Sequence, residues 1–129
     1  MPVDPVLLDQ VRLICSEVLQ IEPDELTAES SFAADHGGES LDFLDLGFRF
    51  ERAFGVPVRF QDLSSQELSV TPDGTLTPES LQKIQARFPL LEVSRWKDRR
   101  FDRPLDLLSI GDIAAIVAGE LERPAAKAG

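Results

Sequence analysis

Residues 35–46 read DHGGESLDFLDL. Two glycines lead the chain to Glu39 and Ser40, and an acidic, apolar run starts directly behind the serine. From Ser40 onward the pattern is helical. Ser40 is the expected N-cap, and Gly55 followed by Pro57 closes a helix over residues 40–54. On a 100° wheel Phe43, Leu44, Leu46, Phe50 and Phe54 share one broad buried side, with Gly47 among them. Asp42, Asp45, Arg49 and Arg52 form a polar stripe opposite. Leu41 and Phe48 lie at its margin, where a monomer exposes them. Asp45 and Arg49 stand at i,i+4, and acids early with bases late suit the helix dipole.

What does the serine do at this helix mouth? A catalytic nucleophile needs a sharp elbow and a base. G-E-S-L-D matches G-x-S-x-G only in part, because Asp42 stands at the last glycine. No parallel-strand run precedes it, and the sole histidine, His36, sits four residues away in a loop. These features argue against a serine hydrolase. A cap is the ordinary account of a lone serine at a helix start. A third account has a phosphodiester on Ser40, since a helix N-terminus offers free N–H groups and partial positive charge to a phosphate. Two glycines then admit a partner enzyme close to the backbone, and Asp42 and Asp45 attract a basic enzyme surface. On the residues alone, cap and phosphodiester both stand.

The chain has 129 residues, enough for one domain with a modest core. A formal net charge of −10 argues against nucleic acid and anionic membrane, and for basic protein partners. The charge is uneven: residues 1–65 carry 13 acidic and 4 basic side chains, residues 66–103 carry 6 and 7. One cysteine, Cys15, excludes an internal disulfide and a multi-Cys zinc site, and its place in a periodic apolar run predicts a buried, inert thiol. A single histidine argues against a His-rich metal site, and no metal is expected. The N-terminus has no basic, signal-like start and no run reaches the length of a membrane span. A soluble, reducing, cytoplasmic setting is therefore expected, with no stable membrane insertion.

Elsewhere the punctuation is equally local. Asp4 and Pro5 open a helix over roughly 5–19, with Leu7, Val11, Ile14 and Val18 on one face. Residues 20–39 form a long loop anchored by Ile21, Leu26 and Phe32, and residues 59–65 add a short helical turn. Residues 66–103 read as a small subdomain. LSVTPDGTLT predicts a short hairpin. Thr77 and Pro78 start a helix whose apolar face is Leu81, Ile84 and Phe88, and Pro89 stops it. Arg95, Lys97, Arg99, Arg100 and Arg103 cluster around Trp96 and Phe101. The last helix starts near Ser109, which pairs with Asp112 as a capping box, and carries Ile113, Val117 and Leu121. The tail, residues 123–129, is expected to be disordered. The fold expected is all-α, one domain over 1–129.

F-x-A-D-x-G-G-E-S-L-D-F-L-D-L over residues 32–46, followed by a helix ending F-G-V-P-V, resembles the acyl carrier protein family. Residues 6–62 resemble it throughout, and residues 107–121 resemble the family's last helix. The resemblance implies a four-helix carrier bundle with phosphopantetheine on Ser40, its thiol holding an acyl group as a thioester. It implies no catalysis by the chain itself. It implies, as partners, a phosphopantetheinyl transferase and acyl-loading and acyl-using enzymes with basic docking surfaces, meeting a monomer at Glu39, Leu41, Asp42, Asp45 and Phe48. The acyl chain would enter between helices against Leu44, Gly47, Phe50 and Phe54. Four features depart from the family pattern. Glu39 replaces the usual aspartate, and His36 a common leucine. Gly37-Gly38 is similar to the peptidyl carriers, and residues 66–103 form an insertion before the last helix. The function expected is an acyl carrier for specialised fatty acid, lipid or polyketide-type biosynthesis. The alternatives are a peptidyl or aminoacyl carrier and an unmodified carrier-like adaptor.

Overall fold

A computed structural model describes residues 3–63, 68–101 and 103–122; the tail over 123–129 lies outside the described residues. Among these there are four α-helices and no strand: α1 (Pro5–Leu19), α2 (Ser40–Phe54), α3 (Pro78–Arg87) and α4 (Ile110–Leu121). Single 3₁₀ turns occupy Pro23–Glu25, Phe60–Leu63, Val93–Trp96 and Pro104–Leu107. The fold is all-α.

Each helix begins where local chemistry dictates. The Asp4 carboxylate accepts the Val6 N–H at 2.9 Å and Pro5 opens α1. Thr77 accepts the Ser80 N–H at 3.2 Å ahead of Pro78 in α3. Ser109 and Asp112 cap α4 reciprocally, each at 3.0 Å. Helix α2 departs from expectation. Its N-cap is Glu39, whose extended backbone carbonyl accepts the N–H groups of Asp42 and Phe43 at 2.9 and 3.1 Å. Asp42 closes the box by accepting the Glu39 N–H at 2.8 Å. Ser40 is thus the first helical residue and its hydroxyl is released from capping. Gly55 ends the helix in the left-handed region, φ +77.

Helix α1 lies against both α2 and α4. Val11 and Cys15 of α1, Phe43, Leu46 and Phe50 of α2, and Ile113, Ile116 and Val117 of α4 meet in the core. Phe32 from the long loop and Phe60 from its turn flank Phe43 edge-on, with centroids 4.8 and 5.3 Å away. The loop before α2 is stapled to α4. The otherwise orphan N–H groups of Ile110 and Gly111 donate to Ser30 and Ala28 carbonyls at 2.8 and 2.9 Å, and Phe32 N–H donates to Leu108 at 3.3 Å. These bonds fix the approach to Ser40.

The segment from residue 68 to 103 joins the same core. Leu76, Ile84, Phe88, Leu91, Val93 and Trp96 are all buried. The expected hairpin is reduced to one antiparallel bridge, Val70 with Leu76, around Gly74 at φ +86. Arg95 bonds to the buried Asp112 of α4, and Arg87 pairs with Glu120 at 2.8 Å.

Candidate functional site

Ser40 is exposed at the first position of α2, and its hydroxyl makes no hydrogen bond among the described residues. The N–H groups of Ser40 and Leu41 likewise meet no acceptor there, while those of Glu39, Asp42 and Phe43 are satisfied by the cap. A free hydroxyl beside two free N–H donors at a positive helix end is a fitting seat for a phosphodiester.

The two glycines have local causes. Gly37 adopts φ +74 and donates to the Ala33 carbonyl at 2.9 Å. Gly38 is buried, and a Cβ there would collide with the Phe32 ring and lie 2.9 Å from the Phe32 carbonyl oxygen. Gly38 therefore serves the packing of its own loop rather than an enzyme's approach. His36 is half-buried in the same loop. From the other side, the Arg103 guanidinium donates to the Gly38 carbonyl at 3.3 Å and to Asp106 at 2.9 Å.

Around Ser40 the expected docking residues divide. Glu39 is exposed. Asp42 keeps its charge while its carboxylate accepts the Glu39 N–H, and the charge of Asp45 is offset by Arg49 at 3.1 Å. Leu41 and Phe48 are exposed, at 78% and 59%. Leu44, expected on the buried side, is 46% exposed: only Phe43, Leu46, Gly47 and Phe50 turn fully inward. Leu41, Leu44 and Phe48 together form an apolar ridge at spacings of three and four, a signal present in the sequence but lost by drawing the buried side too broadly.

The expected acyl-lining set also divides. A groove of about 200 Å³ beside α2 is lined by Phe43, Leu44, Gly47, Phe48, Glu51 and the 57–59 stretch. Phe50 and Phe54 do not line it: Phe50 is fully buried and Phe54 packs on it, with ring centroids 6.0 Å apart. The need for glycine at position 47 comes from Val58, whose carbonyl oxygen would lie 2.7 Å from a Cβ. Cys15 is buried, and burial pushes its thiol up to about 12 from 9.0.

The family model described as phosphopantetheine attachment site matches residues 9–70, with Ser40 inside the span. An acyl carrier protein of Petrotoga mobilis is 35% identical over 57 residues, 44% of this chain and 67% of that protein. The chain belongs to the acyl carrier protein family. Acyl carrier protein AcpXL of Brucella melitensis biotype 1 is 36% identical over 58 residues, 45% of this chain and 62% of that protein, and its Brucella suis biovar 1 counterpart matches equally. The carrier thus spans about two thirds of the length of these relatives or slightly less. Its prosthetic group is a covalently attached phosphopantetheine. Helices α3 and α4 lie beyond the family-model span. Among the described residues no helix is long and apolar enough to cross a membrane.

Proposed function

We propose that the carrier holds acyl groups as thioesters on a phosphopantetheine arm at Ser40, for a specialised lipid, fatty acid or polyketide-type synthesis in the cytoplasm. The observation that carries this reading is the unengaged Ser40 hydroxyl beside the free N–H groups of Ser40 and Leu41. A separate transferase delivers the arm from coenzyme A, and the Ser40 oxygen accepts its phosphoryl end. The two N–H groups and the helix dipole favour the charge that then rests there. Once attached, the arm supplies a terminal thiol for the thioester. The chain itself presents, orients and releases; it does not catalyse.

Docking belongs to the ridge of Leu41, Leu44 and Phe48, with the exposed Glu39 at its head. Three exposed apolar side chains in register on one helix face suit the apolar centre of a partner interface. The specialised role draws support from similarity to proteins named AcpXL. Gly37 and Gly38 lend the peptidyl-carrier alternative no support, because each answers to loop geometry. Residues 66–103, as an insertion within a single domain, act as a specificity element of a monomeric carrier.

Coexpression with a broad-specificity phosphopantetheinyl transferase is expected to add one arm by intact mass, and Ser40→Ala to abolish the addition. An arm that persists on Ser40→Ala overturns the site, and a native carrier isolated without any arm overturns the function.

A further inference from the structure

An open hollow of about 500 Å³ takes in Ala34 of the loop before Ser40 and shares no lining residue with the groove beside α2. Its lining comes from four places in the chain: Ala34 of the attachment loop, Asp73 and Gly74 at the bridge turn, Arg99 to Phe101, and Asp106 with Leu107. Its volume falls within the range of small-molecule sites. Three hydrogen bonds hold its walls together. The Phe101 N–H donates to the Gly74 carbonyl at 3.4 Å, and Arg103 ties the Asp106 carboxylate to the Gly38 carbonyl. The hollow is therefore mechanically joined to the loop that presents Ser40.

The charges inside are unequal. Asp106 is answered by Arg103 at 2.9 Å. Arg99 and Arg100 are exposed and make no ion pair among the described residues. Among the described lining residues the other carboxylate is that of Asp73, and Arg99 also borders a second hollow that holds Glu29 and Glu92. Phe101 and Leu107 supply the large apolar part of the lining. Two arginines without ion pairs and two apolar side chains in one lining match an extended chain that ends in a carboxylate. We propose that this hollow is a cargo site, in which Arg99 and Arg100 hold the far-end carboxylate of an acidic acyl group.

This inference rests on the reading of Ser40 as the attachment point. A phosphate on Ser40 stays at that residue, which does not line the hollow. The occupant is therefore the distal part of the arm or its cargo, not the phosphate. The site is separate from the groove beside Gly47, which has one cation, Arg59, and one carboxylate, Glu51.

The test compares three loaded forms made with a broad-specificity transferase: the free-thiol arm, a glutaryl thioester and its uncharged isostere, 5-methylhexanoyl. Intact mass verifies each load. The glutaryl form is expected to shift the amide resonances of Gly74, Arg99, Arg100 and Phe101. Its thioester is expected to react with hydroxylamine roughly two- to fivefold more slowly than that of the isostere, the scale of a partly exposed ion pair. Arg99→Gln with Arg100→Gln is expected to erase the difference without changing Tm, and the double lysine variant to keep part of it. Equal rates and shifts for glutaryl and its isostere overturn the cargo site alone. So does a free-thiol arm that moves these amides as far as glutaryl does, since the ligand is then the arm. Failure of the arm to attach at Ser40, seen in the same mass spectra, overturns the parent reading and the cargo site with it.

Discussion

A methyl group at position 38 has nowhere to go. It would meet the Phe32 ring and sit 2.9 Å from the Phe32 carbonyl oxygen, and that ring is fully buried against Phe43. Gly38→Ala is expected to cost about 1–3 kcal/mol through overpacking. Gly37→Ala faces open space and only the left-handed backbone, so about 1 kcal/mol is expected. Urea midpoints of the two variants rank them, and a smaller loss at Gly38 would contradict the packing argument. Cys15 offers a second single-residue test. Its thiol is pushed up to about 12 in the folded chain against 9.0 without burial. Above pH 9 the unfolded chain loses this proton while the folded chain keeps it, so folding stability falls as pH rises from 9 towards 12. Cys15→Ala is expected to flatten that part of the stability–pH curve, measured by denaturation at pH 8 and pH 11. An unchanged slope would mean that another group carries it.

At the scale of elements, what the sequence shows and what it hides separate cleanly in α2. Its span, the Gly55 stop, the Asp45–Arg49 pair and the exposure of Leu41 and Phe48 follow from spacing and end chemistry, which are local. The same holds for the Thr77 and Ser109 caps. What was not legible depends on neighbours distant in space or on backbone angles. The shift of the cap from Ser40 to Glu39 turns on the extended conformation at residue 39. The glycine at 47 depends on where the chain returns at Val58. Two variants test this division of the helix. Gly47→Ala raises helix propensity but places a Cβ 2.7 Å from the Val58 carbonyl oxygen, so the carrier is expected to lose about 1–3 kcal/mol. Phe48→Ala, on an exposed side chain, is expected to leave stability within about 0.5 kcal/mol. It should raise KM for the carrier in arm transfer. Unchanged transfer kinetics would move docking away from the ridge.

Across the whole molecule, the segment from residue 68 to 103 is part of the core. Trp96 is among the largest fully buried side chains, and Leu76, Ile84, Phe88, Leu91 and Val93 are buried with it. Arg95 gives the buried Asp112 carboxylate a guanidinium partner, and Asp112 also caps α4 through the Ser109 N–H. Truncating Arg95 would leave that carboxylate short of a partner at the helix end that staples the loop before α2. The Ser40 loop and the segment therefore share one mechanical frame, through Asp112 on α4 and through Arg103 on Gly38. Replacing residues 66–103 by a short Gly/Ser loop would remove the buried side chains of the segment and the contacts that Arg87, Arg95 and Arg103 make to the rest of the chain. The shortened chain is expected to lose cooperative unfolding. Trp96→Ala alone is expected to cost about 3–5 kcal/mol, the usual range for deleting a buried tryptophan. Near-UV circular dichroism and thermal melts read both. A shortened chain that melts cooperatively near the parent Tm would show that the segment rests on a self-sufficient carrier, and its contribution would then have to be sought in cargo or partner choice alone.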